Sequence, residues 1–192
     1  MTALDELNQR TEEFTRKTYP GCEERLVFGA GNPDRPRVML IGEAPGGEEV
    51  AAGRPFVGKA GKNLDRFLTL AELDRNEIWV SNAVKFRPVL PGRNGGLRNR
   101  APKESEIMAY RPFLLEEIRL VCPEMLVTLG NTPLLSVCGK GVGVGEKHGQ
   151  LLDGPEGLKV FCLYHPASVI YRPDLREICE NDMLALRSRL HG

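Results

Sequence analysis

The chain of 192 residues is 41% hydrophobic and 27% charged, and its 26 lysine and arginine residues balance 26 acidic residues. That length and composition are typical of one globular domain, which we assign to residues 1–192. We expect neither a membrane-spanning helix nor a secretory signal, since no apolar run approaches roughly 18 residues and the segment MTALDELNQR lacks an apolar core. We therefore expect a cytoplasmic protein with no membrane partner.

A neutral net charge argues against a nucleic-acid partner only where the charges are evenly spread. Residues 78–103 contain no aspartate or glutamate but carry six lysine and arginine residues. A neutral protein with such a segment can still present a basic face to nucleic acid.

The five cysteines are odd in number and widely spaced, and no two of them form a Cys-x-x-Cys pair. This spacing fits neither a disulfide framework nor a zinc site. We expect reduced thiols that are mostly buried.

Apolar spacing predicts an N-terminal amphipathic helix over residues 3–17. The apolar run at residues 38–41 is long enough for a strand buried on both faces and too short for a helix. A polar segment follows, with a Pro-Gly turn, three carboxylates and an isolated Phe56, and helical periodicity resumes over residues 60–71. The sequence thus predicts a strand, a long polar loop and a helix. A loop of this length indicates a site, the alternative being a plain β-α connection, which usually needs only about two to six residues.

Short apolar runs beyond residue 71 predict three further strands separated by helices. The strands lie at 78–80, 125–129 and 159–164, and the helices at 103–121, 131–138 and 174–190. Pro112 should kink or split the first of these helices. The glycine-rich segment 139–149 does not link a strand directly to a helix, as a dinucleotide-binding motif requires.

Strands that alternate with helices predict a parallel sheet with right-handed crossovers, covered on both faces. The expected fold is therefore α/β, a three-layer α/β/α sandwich around a central, mainly parallel four-stranded sheet. Residues 42–46, Asn82 and His165 each follow the carboxyl end of a predicted strand. Because these ends meet at one edge of an open α/β sheet, we expect the three segments to line a common site.

Four blocks of sequence resemble, in order, the motifs of the iron–sulfur (family 4) uracil-DNA glycosylases. They are Gly42-Glu43-Ala44-Pro45-Gly46 with Glu49 and residues 53–61, then Ser81-Asn82-Ala83-Val84-Lys85-Phe86-Arg87-Pro88, Asn99-Arg100-Ala101-Pro102 and His165-Pro166-Ala167. Their order and spacing match from about Leu26 to the C-terminus, which is more specific than any single block. The resemblance implies a DNA repair hydrolase that flips uracil out of DNA and cleaves its N-glycosidic bond.

The sequence departs from that family at the cysteines that hold its iron–sulfur cluster. The family has one cysteine in the second block and another in the long helix, where this chain has Phe86 and Tyr110. Cys22 has no second cysteine two or three residues away to complete the family's N-terminal pair. We therefore expect no cofactor and no metal, with apolar packing in place of the cluster.

The resemblance assigns the base pocket to Gly42, Ala44, Pro45, Gly46, Glu49, Phe56 and Asn82. Phe56 would stack on the flipped base, unless it is simply a core phenylalanine. The amide of Asn82 would meet N3–H and O4 of uracil and would be mismatched to cytosine, the alternative being a cap on the strand-end turn. Glu49 would lie beside the C5 edge and exclude the methyl group of thymine.

The resemblance assigns the chemistry to Glu43 and His165. Glu43 would orient the attacking water or stabilise the cationic sugar, and its alternative role is to accept hydrogen bonds from turn amides. His165 would donate a hydrogen bond to uracil O2 as negative charge grows there. Its alternative is a histidine that caps the following helix.

The remaining assignments concern the DNA strand itself. Lys85, Arg87, Arg98 and Arg100 are expected to contact phosphates, and each would otherwise be a solvated cation. Val169 and Ile170 would form the apolar wedge that fills the gap left by the flipped base, or else belong to the core of a short helix.

Two other functions remain open at this point. One is a glycosylase with a different substrate, such as hypoxanthine or xanthine, and the other is a nucleic-acid-binding protein that has lost turnover. Our first expectation is a monomer that acts on DNA containing uracil or another deaminated base.

Overall fold

A computed structural model describes residues 1–92 and 95–191 of the chain. Among these residues the strands, in chain order, are β1 (Ala30–Gly31), β2 (Val38–Gly42), β3 (Trp79–Asn82), β4 (Val89–Pro91), β5 (Leu97–Asn99), β6 (Met125–Leu129), β7 (Leu151–Asp153) and β8 (Lys159–Leu163). Six strands form one sheet in the order β1-β3-β2-β6-β8-β7, and β4 pairs with β5 in a separate hairpin.

The four central strands of the sheet are parallel, and they are the four strands that the apolar runs predict. The predicted α/β class and the mainly parallel sheet are therefore confirmed. The predicted strand number is wrong, because β1 and β7 add antiparallel edges. These edges have only two and three residues and are partly exposed, so they carry too short a pattern to be recognised.

Helices cover both faces of the sheet. In chain order they are α1 (Ala3–Thr18), α2 (Gly47–Ala52), α3 (Lys59–Leu70), α4 (Glu104–Val121), α5 (Asn131–Cys138), α6 (Val144–Lys147), α7 (Ser168–Tyr171) and α8 (Arg176–His191). Alternation along β2 divides the core into two layers, since successive side chains of a strand point to opposite faces. Val38 and Leu40 pack with side chains of α3 and α8, while Met39 and Ile41 pack with side chains of α4.

Two helices differ from the sequence-based expectation. Helix α4 runs through Pro112 as a single element, so the proline does not split it. The segment expected to be a long polar loop contains α2, whose six residues are all partly or fully exposed and show no apolar periodicity. No helix within the described ranges has the length and apolarity that crossing a bilayer would require.

All five cysteines are free thiols, but fewer are buried than predicted. Cys162 and Cys179 are buried, Cys122 is exposed, and the other two are partly exposed. Burial raises the pKa of Cys179 to about 11, which keeps this thiol protonated and unreactive at neutral pH.

Lys85 lies in the core and not on the basic face, so the prediction that it contacts DNA phosphate is wrong. Only 3% of the residue is exposed. Its Nζ lies 2.5 Å from Oε2 of Glu117, itself buried, and donates to Oγ of Ser81 at 2.6 Å and to the carbonyl oxygen of Asn82 at 2.8 Å. Glu117 also accepts from the indole of Trp79 at 2.9 Å. This network ties α4 to the end of β3.

Replacing Lys85 with methionine is expected to lower the free energy of unfolding by about 3–5 kcal/mol, because Glu117 would remain buried without a compensating charge. The measurement is urea unfolding followed by circular dichroism. K17M is the matched control, since Lys17 pairs with Glu13 on the surface and its loss should cost less than about 1 kcal/mol. Equal effects of the two substitutions would show that the buried pair does not stabilise the strand end.

Candidate functional site

The carboxyl ends of the parallel strands meet around a cavity of about 220 Å³. Its walls include eight residues that the sequence assigned to the site: Glu43, Ala44, Pro45, Gly46, Glu49, Phe56, Asn82 and His165. Segments that are more than 100 residues apart in the chain, at Glu43 and His165, thus share one cavity. The strand-end argument correctly placed the three segments together.

Gly42 allows the cavity wall to be built, although it does not line the cavity itself. Gly42 and Asn82 are register partners in the β2–β3 pair. A Cβ added at Gly42 would lie 2.5 Å from Oδ1 of Asn82 and 2.6 Å from ring carbons of Phe56. Both side chains therefore occupy space that any residue other than glycine would fill.

Phe56 forms one wall of the cavity and also belongs to the core. It is 5% exposed and packs in the large cluster on the α3 side of the sheet. Its ring faces the imidazole of His165, with centroids 5.8 Å apart and planes inclined by 30°. Its backbone has φ of 54°, the left-handed region that phenylalanine rarely adopts. The two readings of Phe56 from the sequence are thus compatible.

Glu49 is held by backbone amides on both sides of its carboxylate. Oε2 accepts from the amide of Gly46 at 3.0 Å, which caps α2, and Oε1 accepts from the amides of Val57 at 3.1 Å and Gly58 at 3.0 Å. A carboxylate with three such bonds is fixed in position. Glu49 therefore contributes an immobile wall to the cavity.

His165 is neutral over the physiological pH range. Burial lowers the pKa of its imidazole to about 4, and the nearby Glu49 opposes this shift only in part. The backbone amide of Ala167 donates to Nδ1 at 3.1 Å. Because Nδ1 accepts a hydrogen bond, the neutral ring carries its proton at Nε2. The turn after β8 thus makes His165 a neutral hydrogen-bond donor in the cavity.

Comparison with known proteins identifies the family of the chain. A family model described as "Uracil DNA glycosylase superfamily" matches residues 28–185 of the chain. The chain belongs to the uracil DNA glycosylase superfamily.

Relatives within the superfamily are similar over nearly the whole chain. The type-4 uracil-DNA glycosylase of Sulfurisphaera tokodaii is 35% identical over an alignment 198 positions long. That alignment covers 97% of this chain and 84% of that protein. The Thermotoga maritima protein of the same name is 36% identical and covers 96% of this chain and 93% of its own length. A crystal structure of SMUG2 from Pedobacter heparinus superposes with a TM-score of 0.58 at 15% identity, over 97% of this chain and 84% of that one, and supports the fold alone.

Thr132 holds the site residue Glu43 from outside the cavity lining, and sequence reasoning missed it. Its hydroxyl donates to Oε2 of Glu43 at 2.6 Å, and the residue is 9% exposed. The other carboxylate oxygen of Glu43, Oε1, takes no part in this hydrogen bond. One signal was present, because Thr132 follows β6 and Gly130 at the same sheet edge where the other predicted site residues follow their strands.

The expected phosphate-binding cations have different environments. Arg100 lines the cavity, but its guanidinium makes two hydrogen bonds with the buried carboxylate of Glu106, at 2.6 and 2.7 Å. Its charge is compensated within the chain, and its contact with a DNA phosphate stays a prediction. Arg87 donates through Nε to Oδ1 of Asn99 at 2.7 Å, at the base of the β4–β5 hairpin. Arg98 is exposed on that hairpin.

The predicted apolar wedge is wrong for Val169, and for Ile170 it stays a prediction. Val169 is 3% exposed and packs in the core on the α8 side, so it is unavailable to DNA. Ile170 is 43% exposed, and its neighbour Tyr171, which the sequence analysis did not select, is 82% exposed. Both belong to α7, immediately after the His165 turn.

The iron–sulfur cluster that the sequence resemblance implies does not fit the residues present. Phe86 and Tyr110 occupy two of the expected cysteine positions, and their ring centroids are 5.6 Å apart. Tyr19 lies 5.4 Å from the ring of Phe86, and the hydroxyl of Tyr110 is hydrogen bonded to Thr15 at 2.5 Å. Among the described residues Cys22 is the one thiol that packs against this group. Aromatic rings therefore fill a space where a cluster would need thiolates.

The imidazole of His165 is expected to titrate near pH 4, well below an unperturbed histidine, because protonation would place a charge in a desolvated cavity. Since the unfolded chain binds this proton near pH 6.5, stability should fall as the pH drops from about 6.5 towards 4. The measurement is an NMR pH titration of the imidazole resonances, with H165Q used to assign them. A His165 signal that titrates near pH 6.5 would contradict the buried, neutral ring.

Proposed function

We propose that this protein is a DNA repair glycosylase that hydrolyses the N-glycosidic bond of uracil in DNA. Its family, and relatives named type-4 uracil-DNA glycosylases, support a hydrolase that acts on N-glycosyl bonds. The observation that carries the proposal is one cavity that holds a neutral imidazole donor, an amide, an aromatic ring and a carboxylate. Together these groups supply what excision of a pyrimidine base requires.

Recognition of uracil is assigned to Asn82. Its side chain is held over Gly42 and can present one acceptor and one donor to the N3–H and O4 of uracil. Cytosine presents an acceptor and a donor at the same positions, so the amide would be left with mismatched groups in a buried site. Loss of hydrogen bonds to buried polar groups gives strong discrimination.

Phe56 and Glu49, two further residues of the cavity wall, would complete the selection of uracil. The ring of Phe56 offers a face on which a base can stack, an interaction worth roughly 1–3 kcal/mol. The fixed carboxylate of Glu49 would lie near C5 of the base and leave no room for the methyl group of thymine. Because three amides hold this carboxylate, it cannot move aside to admit the methyl group. A base within duplex DNA would have to be flipped out to reach these walls.

The chemistry needs a stabilised leaving base and a water molecule. As the bond to C1′ breaks, negative charge develops on uracil O2, and Nε2–H of His165 would donate a hydrogen bond to it. The sugar becomes cationic, and Glu43 would stabilise it and orient the water that attacks C1′. The proton released by that water passes to Glu43 or to solvent, and the uracil anion is later protonated. A neutral imidazole suits this role, because a donor is required and proton transfer is not.

Binding of the DNA strand is assigned to the surface around the cavity. Arg87 and Arg98 lie at the β4–β5 hairpin beside the opening and would contact phosphates without reading the sequence. Ile170 and Tyr171 would fill the space that the flipped nucleotide leaves in the stack.

The test is release of the base from oligonucleotides that carry a single uracil, scored as alkali-labile strand cleavage. N82A and H165A are each expected to reduce the rate by roughly 100-fold or more, because each removes an interaction with the reacting base. R16M is the control, since Arg16 lies on α1 and pairs with Glu12 on the surface. Oligonucleotides with hypoxanthine or xanthine are run in parallel.

Each outcome has a definite meaning. Release of hypoxanthine or xanthine and not of uracil would keep the mechanism and change the substrate. DNA binding without release of any base would overturn the enzymatic proposal and leave a binding protein with this fold. Release that N82A and H165A do not alter would place the active site elsewhere.

Tyr171 is expected to matter for duplex DNA and not for single strands, because only a duplex has a stack to refill. We predict that I170A/Y171A lowers uracil release from a duplex by roughly 10-fold, given an unstacking cost of a few kcal/mol, and leaves release from a single strand nearly unchanged. V169A does not test the wedge, since Val169 is buried in the core. Equal losses on both substrates would remove the wedge role.

A further inference from the structure

We propose that Arg75 is a positioning residue for Phe56, whose guanidinium holds the strained backbone that presents the ring to the cavity. Arg75 lies outside all four sequence blocks of the resemblance, on the connection between α3 and β3. It does not line the 220 Å³ cavity. The consequence for catalysis rests on the proposed function, whereas the effect on Phe56 itself does not.

The backbone at Phe56 needs external support. Its φ of 54° is unfavourable for a residue with a Cβ, and such a conformation persists only where the surroundings impose it. The ring that this backbone carries lies against Gly42 and faces the imidazole of His165. The position of the cavity wall therefore depends on whatever holds this peptide.

Arg75 makes the contacts that can hold it. Its Nη2 donates to the carbonyl oxygen of Phe56 at 2.6 Å and to that of Pro55 at 3.1 Å, while Nη1 donates to Oδ1 of Asp65 at 2.8 Å. Hydrogen bonds from a charged donor are stronger than neutral ones. These two carbonyls belong to the peptides on either side of the Cα of Phe56, so one planar group restrains the orientation of both peptides.

Helix α3 and Glu49 also restrain the backbone around Phe56. A Cβ at Gly61 would collide with the carbonyl oxygen of Phe56, so the backbone of α3 lies directly against that carbonyl. Glu49 holds the next two amides, at Val57 and Gly58. The carbonyl of Phe56 is therefore held by Arg75 and the following amides by Glu49, so the backbone that follows the Cα of Phe56 is fixed from two sides.

The ion pair with Asp65 does not by itself account for an arginine at position 75. Side-chain exposure is 31% for Arg75 and 53% for Asp65, and a pair this exposed contributes little to stability. The contacts that lie towards the interior are the two carbonyls. A planar group with several donors satisfies both carbonyls and Asp65 at once, which lysine cannot reproduce in the same geometry.

The experiment compares R75M with R66M, using a readout of Phe56 that does not depend on activity. Arg66 lies on α3 and pairs with Glu180 on the surface, so R66M removes an exposed arginine without touching the segment. The protein is labelled with 4-fluorophenylalanine, and the signal of Phe56 among the seven phenylalanines is assigned from F56L. R75M is expected to shift or broaden the Phe56 fluorine signal, and R66M is expected to leave it in place.

Activity is measured on the same variants with a single-stranded oligonucleotide that contains uracil. R75M should raise KM or lower kcat/KM by roughly 10- to 100-fold, because misplacement of a contact by about 1 Å costs up to about that much. In the F56L background, R75M should have little further effect, since the ring that it positions is gone. R75K should show an intermediate loss, and D65N should remain near the wild type because it keeps both carbonyl contacts.

Thermal unfolding of each variant shows whether a loss reflects the global fold, and R75K replaces R75M if the latter does not fold. An unchanged Phe56 signal in R75M, or an equal loss of activity in the wild-type and F56L backgrounds, would overturn the inference. If the wild type releases no uracil while the Phe56 signal still moves in R75M, the proposed function fails and the positioning role stands.

Discussion

The site depends on the close approach of two side chains to the backbone at Gly42. The parallel register of β2 and β3 brings Asn82 next to this glycine, and the loop after β2 returns the ring of Phe56 to the same point. An amide and an aromatic face therefore meet over a backbone that has no side chain. The imidazole of His165 faces the same ring, and Glu49 holds the two amides that follow Phe56.

The imidazole that would donate a hydrogen bond in the cavity, that of His165, is uncharged. His165 is desolvated and cannot readily hold a proton on both nitrogens, so burial supplies a hydrogen-bond donor without a charge. Two nearby cations are compensated by carboxylate partners. Arg100 pairs with Glu106, and Lys85 pairs with Glu117 beneath the end of β3. The ammonium of Lys85 also holds the carbonyl of Asn82, so a buried ion pair supports the residue that would read the base.

The sequence predicted the features that come from apolar patterns and failed where a distant partner decides the outcome. The four central strands were recognisable because each is a continuous apolar run between polar segments. Lys85 looked exposed because its neighbours in the chain are basic, but its partner Glu117 is 32 residues away on another element. Similarly, Thr132 could be linked to Glu43 only once β2 and β6 were known to be adjacent. Val169 and Tyr171 differ in exposure because they lie on opposite sides of one short turn of helix, and a sequence of four residues does not fix which side is buried.

The carboxylate of Glu49 has a consequence for how this region opens and closes. Helix α2 has six residues and lacks a buried face, so it would not persist alone in water. Its capping residue is the same side chain that holds the amides of Val57 and Gly58. The helix and the segment after it are therefore joined through one side chain, so loosening of either weakens the support of the other. A local opening that displaced Glu49 would release the N-terminus of α2 and the two amides after Phe56 together.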